Sequence, residues 1–369
     1  MTLYSQVATE YNVMPKHALF EYPLALKTVF AQLQQLVLHT NFTGPDIDLS
    51  AYPASGAIGI VSKTIKGETY WYAQYTSADG RRQQSYIGPQ SDPKSAVIVE
   101  WLQTHEAGSD LRMRRQMVRT LKTAGYEAPS RHASGALLVL SRAGLFRNGV
   151  TLIGSPAYAA ILNRLGVQES PALMTADLDV SVAPIELTLP EDVDIEAAFK
   201  HWNAQMFSVP GLRHSDPATS ISMKKTDFMI DFLCPGFIDD EGTPKKLAKL
   251  GFAAAKMPFL DYLIKDAQPS LILTPNGLIA PVPNAAQFMI HKLAVAAGRP
   301  HAWASKRDKD IQQAATLYEI LSTTDPDNID LAVTAISEAA EPKVFTERIQ
   351  RGIELAKLRG FDLSAIATS

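Results

Sequence analysis

Two aspartates, Asp177 and Asp179 in "TADLDVSV", stand two residues apart in a segment that otherwise reads as a β-strand. Alternation places Asp177, Asp179 and Ser181 on one face and Leu178, Val180 and Val182 on the other. Strands are poor in aspartate and like charges on one face repel, so something of opposite charge must offset the cost. A divalent cation does so. A third carboxylate is then expected from a later strand, and "KKTDFMIDFLCP" offers Asp227 and Asp231, four residues apart and on one face of a strand. Asp231 has apolar neighbours on both sides and is the one expected to reach the interior. Three converging carboxylates suit Mg²⁺, which takes a few protein oxygens together with phosphate oxygens. Two such ions can activate an attacking hydroxyl and stabilise a departing pyrophosphate. Taken alone, a D-x-D pair has a plainer reading: it caps a turn or sits on an exposed edge.

A second feature precedes it. Gly154-Ser155 joins the strand "VTLI" to the helix "GSPAYAAILNRLG". Glycine allows a tight turn and close approach of a ligand. Ser155 is placed to cap the helix, with Pro156 in its first turn. Free N–H groups at a helix start bind phosphate. An ordinary strand-to-helix turn would look the same. It is the order of strand, Gly-Ser, helix and then an aspartate pair on a strand that turns both features toward chemistry.

These features must be held by a chain of 369 residues, long enough for two or three domains. With 46% apolar and 20% charged residues it is an ordinary globular composition. A net charge of −3 excludes a globally basic nucleic-acid binder, though not a local basic patch. The single cysteine, Cys234, cannot form an internal disulfide and fits a reducing compartment; beside the third strand it reads as a small buried hydrophobe. The start of the chain lacks a signal-peptide pattern, and no apolar run approaches a membrane span, so a cytoplasmic protein with no membrane partner is expected.

Residues 22 to 39 carry helical periodicity. Alternating aromatic runs then flank Asp79-Gly80, a hairpin-turn signal. Residues 91 to 124 read as helical with Asp110 as a cap, and "GYEAPSRHASG" reads as a linker. After the central strands, helices dominate from Pro283 onward. On "NAAQFMIHKLAVAAG", Asn284 and Gln287 suggest a capping box, and Lys292 shares a broad face with Phe288 and Val295. His291 reads as a satisfied structural histidine, and Lys306, Lys309 and Asp310 as a solvated charge run in which Asp310 caps the helix or orients Lys309.

"LIGSPAYAAILNRLGV", "MTADLDVSV" and "DFMIDFL" resemble the core of the polymerase-β-type nucleotidyltransferase superfamily, and "PVPNAAQFMIHKLAVAAGRP" with "KRDKDIQQAATL" resembles bacterial nucleotidyltransferase-like proteins related to the abortive-infection toxins. The resemblance spans roughly residues 135 to 320. It implies an α/β (α+β) catalytic core with a mixed sheet over residues 131–282, followed by a helical domain (283–369) and preceded by a mixed accessory domain with a β-hairpin (1–130). It further implies transfer of a nucleoside monophosphate from an NTP to a hydroxyl, with pyrophosphate released. Asp177, Asp179 and Asp231 would hold two Mg²⁺ ions, Gly154 and Ser155 the phosphates, and Lys292, Lys309 and Asp310, with Lys306 beside them, the nucleotide. RNA, in particular a tRNA 3′ end, is the implied acceptor, followed by a protein or small-molecule hydroxyl, and a cognate antitoxin is an implied partner.

The N-terminal third adds two features. Arg112, Arg115, Arg119 and Lys122 share one helix face that could follow an RNA backbone, although such stripes are often solvated surface. Tyr70, Tyr72, Arg81, Arg82 and Tyr86 could stack on and pair with an acceptor, although an aromatic hairpin is often a small packed sheet. Two other classes therefore stand beside the enzyme: a catalytically silent NTP-binding regulatory module, and a nucleic-acid-binding protein acting through residues 50 to 125. Retention of three like charges speaks against the silent module.

Overall fold

The computed structural model describes residues 19–43, 59–76, 82–103, 105–169, 177–183, 192–211, 216–240 and 243–366. The first described elements are β1 (Phe20–Glu21) and α1 (Leu24–Thr43), which starts two residues after its periodic stretch and ends four beyond it. The aromatic runs form three strands, β2 (Gly59–Ile65), β3 (Glu68–Thr76) and β4 (Arg82–Pro89), in one antiparallel sheet. The expected Asp79-Gly80 turn lies outside the described residues, as does Arg81. Residues 91 to 124 form two helices, α2 (Pro93–Gln103) and α3 (His105–Thr123), and Asp110 lies inside the second rather than at its cap. The expected linker is short: Ser130 accepts from the Ala133 N–H at 3.1 Å and starts α4 (Arg131–Arg142).

The central sheet gathers β5 (Val150–Ile153), β7 (Leu178–Val182), β8 (Met206–Val209), β9 (Ser220–Met223), β10 (Met229–Gly236), β11 (Lys245–Leu247) and β12 (Phe252–Pro258). Helix α5 (Gly154–Leu165) and the two-residue β6 (Val167–Gln168) intervene between β5 and β7, and α6 (Ile195–Trp202) follows β7. The order is β11-β12-β10-β7-β5, with β9 sharing one edge of β10 with β12, and β8 outside β9. Strands β7, β10 and β12 run parallel and the others antiparallel, so the sheet is mixed. After α7 (Leu260–Ile264), a hairpin of β13 (Gln268–Ile272) and β14 (Leu278–Val282) leads into the helices α8 (Ala285–Gly298), α9 (Ala304–Thr324), α10 (Pro326–Thr334) and α11 (Pro342–Lys357).

Alternation explains how the sheet holds its core. Leu178, Val180 and Val182 of β7 and Ile230, Phe232 and Cys234 of β10 are fully buried against one body of apolar side chains that also takes in α4, α5, α8, α9 and α11. Helix α8 is apolar nearly all round and lies at the centre of this body. A second cluster joins α1 and α3 to β13 through Leu33, Val37, Val118, Leu121, Leu271 and Leu273. Tyr22 and Tyr126 stack within it at 3.8 Å between centroids. Among the described residues no helix is long and apolar enough to cross a membrane.

Candidate active site

The parallel pairing of β7 and β10 puts Asp179 directly opposite Asp231. Neighbouring strands lie ~4.8 Å apart, so the two carboxylates leave the same sheet face side by side. Met229 and Leu233 line the same cleft as Asp231, while the alternating residues between and beyond them are buried on the other side. Asp177 immediately precedes β7 and lines the cleft as well. Asp227 precedes β10 rather than lying on it and is exposed, so the third carboxylate beside the pair is Asp231. The Ser220 hydroxyl donates to the Asp231 carboxylate at 2.5 Å. β9 carries that serine directly opposite the aspartate.

Burial, then the charge of Asp231, pushes the Asp179 carboxyl up from 3.8 to about 6, against the opposing pull of Lys292 and Lys309. Burial and Asp231 also raise Asp177. The three acids therefore repel one another in one cleft. Among the described residues no three acidic, histidine or cysteine side chains already converge into a closed metal cage. Mg²⁺ does not require one, because it keeps several waters and binds through one or two carboxylates together with phosphates. An all-oxygen donor set under mutual repulsion fits such a hard cation.

Gly154 fixes the floor. β5 pairs Ile153 with Asp179, so the chain turns upward against that aspartate, with Gly154 at φ +67°. A Cβ at this position would meet an Asp179 carboxylate oxygen at 2.1 Å. Gly154→Ala is expected to displace Asp179, reducing activity by at least about tenfold and stability by roughly 1–3 kcal/mol, the cost of a strained left-handed residue. Activity assays and thermal melts on the same preparation check both halves. Ser155 does not cap α5, whose start has no side-chain cap. Its hydroxyl instead accepts from Lys309 Nζ at 2.8 Å, a link from α9 to the strand-to-helix turn.

Opposite the acids stands a cluster of cations. Lys292 donates to Asp310 at 2.8 Å and Arg299 donates to its other oxygen. Burial by itself would raise Asp310, but Lys292 and Arg299 outweigh it and hold the carboxyl below its usual range. Asp310 thus orients Lys292 and Arg299, with no hydrogen bond to Lys309. Burial and the neighbouring Lys292 lower Lys309 to about 8. Lys306 is exposed at the rim, its ammonium 4.8 Å from the Trp303 ring centre. Arg299, the extended residue that ends α8, was not singled out by its sequence; a cation at a helix C-terminus is the signal that could have found it.

His291 is buried on the cleft wall and neutral, burial and Lys292 lowering it to about 3, with the Pro258 carbonyl as a partner. Its Nε2 has no partner, so the histidine is structural without being fully satisfied. The capping box is only half formed: Asn284 accepts from the Ala286 and Gln287 N–H groups, whereas the Gln287 side chain turns away and donates to Asp266. Cys234 is buried and its thiol is raised by that burial, as expected of a packing residue. The basic stripe on α3 is interrupted. Arg115 turns inward and donates to the Asn276 side chain at 2.5 Å in the β13–β14 turn, while Arg112, Arg119 and Lys122 remain exposed.

One cleft thus brings together Gly154, Ser155, Asp177, Asp179, Asp231, Lys292, Lys306, Lys309 and Asp310 from α5, β7 and the residue before it, β10, α8 and α9. A nucleotidyltransferase family model matches residues 131–338, more than half of the chain. No curated protein and no solved structure matches it. Acids and cations facing one another across a glycine turn are the parts that phosphorus transfer needs, and with that match the chain belongs to the nucleotidyltransferase family, enzymes that transfer phosphorus-containing groups.

Proposed function

We propose that the chain transfers a nucleoside monophosphate from an NTP to a hydroxyl of RNA and releases pyrophosphate. The observation that carries this reading is the Lys309–Ser155 hydrogen bond, which sets a cation at the glycine turn directly across from the acids. Gly154 and Ser155 bind the β- and γ-phosphates through the start of α5. Lys309, Lys292 and Arg299 balance the charge of the triphosphate, and Asp310 keeps the last two pointed inward. Asp177, Asp179 and Asp231 would hold Mg²⁺. That ion, when bound, lowers the pKa of the attacking hydroxyl and neutralises the leaving pyrophosphate. The acceptor oxygen forms a bond to the α-phosphorus, the bond to the β-phosphate oxygen breaks, and Asp231 accepts the hydroxyl proton. The protein's contribution is positioning and fixed charge.

The test incubates the protein with each α-labelled NTP, Mg²⁺ and total cellular RNA, protein or small-molecule extract. Label in RNA is expected. Label in a protein band or a small molecule keeps the transfer but overturns RNA as acceptor. Bound NTP with no label in any fraction identifies a silent NTP-binding module instead.

A further inference from the structure

The cleft accounts for α5, β7, β10, α8 and α9 but leaves the three-stranded sheet without a task. Its two faces are unlike. One is covered: Ala73 is fully buried, and the Ser95 side chain of α2 packs on Gly88, which pairs with Trp71. By alternation the other face carries Lys63, Tyr70, Tyr72, Gln74, Gln84 and Arg82, together with one carboxylate, the exposed Glu68, which accepts from the Tyr70 hydroxyl at 2.8 Å. Lys63 pairs with Tyr70 and sets its ammonium 4.8 Å from the Tyr72 ring centre. Lys63, Gln84 and Arg82 are exposed, and the two tyrosines are half-buried.

We propose that this face binds single-stranded RNA. Charge favours a polyanion. Residues 59 to 122 hold ten Lys and Arg against six Asp and Glu, whereas the whole chain has 35 against 38. Exposed Arg112, Arg119 and Lys122 belong to the same basic segment, on the helix that packs against α2. Tyrosine rings beside the Lys63 ammonium, with Arg82 further along the same face, offer stacking together with phosphate contacts, the pairing that single-strand binders use. Spacing favours a single strand. Tyr70 and Tyr72 are ~6.7 Å apart along the strand, about twice the 3.4 Å rise of a stacked nucleic-acid strand, so each ring takes one base of an extended chain. The amides of Gln74 and Gln84, paired across β3 and β4, supply hydrogen bonds to base edges.

The use of this binding, to deliver a hydroxyl to the cleft, rests on RNA as the acceptor; the binding itself does not. The experiment measures fluorescence anisotropy of a labelled 12-nucleotide single-stranded RNA of mixed sequence with the full chain, across a salt series and without NTP. A duplex RNA and a single-stranded DNA of equal length form the other arms. Tyr72→Ala is expected to weaken single-stranded RNA binding by about tenfold, while Tyr72→Phe keeps it within about twofold because the ring remains. Lys63→Ala combined with Arg82→Ala is expected to flatten the log–log salt slope by about 1.4, two phosphates' worth. Asp179→Asn is expected to bind RNA like the wild type. No binding by the wild type, wild-type binding by folded Tyr72→Ala, a preference for duplex, or a preference for DNA would each overturn the proposal. RNA binding without any label transfer would leave this surface standing and overturn the acceptor reading alone.

Discussion

Asp179→Asn is expected to abolish nucleotidyl transfer, by about 10³-fold or more, and to yield a protein that melts above the wild type in metal-free buffer. The first half follows from its place at the meeting of β5, β7 and β10, under Gly154 and opposite Asp231. Loss of a preorganised charge at a transfer site costs at least this order of rate. The second half follows from its carboxyl being raised from 3.8 to about 6, burial first and Asp231 second. Because the folded value lies above the unfolded one, the folded protein holds its proton more tightly. Stability therefore declines as pH rises from about 4 to about 6, and the loss is complete above that. It amounts to about 3 kcal/mol at neutral pH, and asparagine removes the charge that causes it. Scanning calorimetry at pH 4 and pH 8 reads this directly: the variant's advantage should be large at pH 8 and small at pH 4. A variant that keeps more than a tenth of wild-type transfer, or melts well below it at pH 8, would remove Asp179 from the centre of the site.

Asp310→Ala is expected to produce the largest loss of stability. The carboxylate is 2% exposed and accepts from both Lys292 and Arg299. Truncating it leaves two partly buried cations facing each other and Lys309. Removing one partner of a buried ion pair costs about 3–5 kcal/mol. The vacancy is also the one an anion fills, so tripolyphosphate should raise the melting temperature of the variant by more than it raises that of the wild type. Equal shifts in the two proteins would show that these cations do not meet phosphate.

The parts of the site that could be read from the sequence are those set by local periodicity. The aspartate pair, its alternation with three apolar residues, the strand-glycine-helix junction and the apolar length of α8 each lie within one short window, and the structure places them as expected. What escaped notice depends on long-range partners. Arg299 matters because Asp310 sits eleven residues later on the next helix, and Ser220 because β9 pairs with β10. Arg115 lies on a periodic basic face, but periodicity does not tell whether a turn 161 residues away, at Asn276, will claim it. Gln287 likewise left its capping box for Asp266. Apart from β10, the strands between Met206 and Val282 carry three to seven residues each, too few for alternation to stand out from buried helix or loop.

The pairing of Phe20 and Glu21 with Gln168 and Val167 has a bearing on biosynthesis. Helix α1 can pack on α3 through Val118 and Leu121 as soon as that helix is made, but their shared cluster closes only when Leu271 and Leu273 arrive, Leu271 lying 238 residues after Leu33. At translation speeds of about 5–20 residues per second, the α1–α3 pair waits on the order of ten seconds with the side of its cluster that meets Leu271 and Leu273 uncovered. The nascent chain should therefore close this cluster late, and a ribosome-stalled fragment ending before Leu271 should display that apolar side to holdase chaperones while the full chain conceals it.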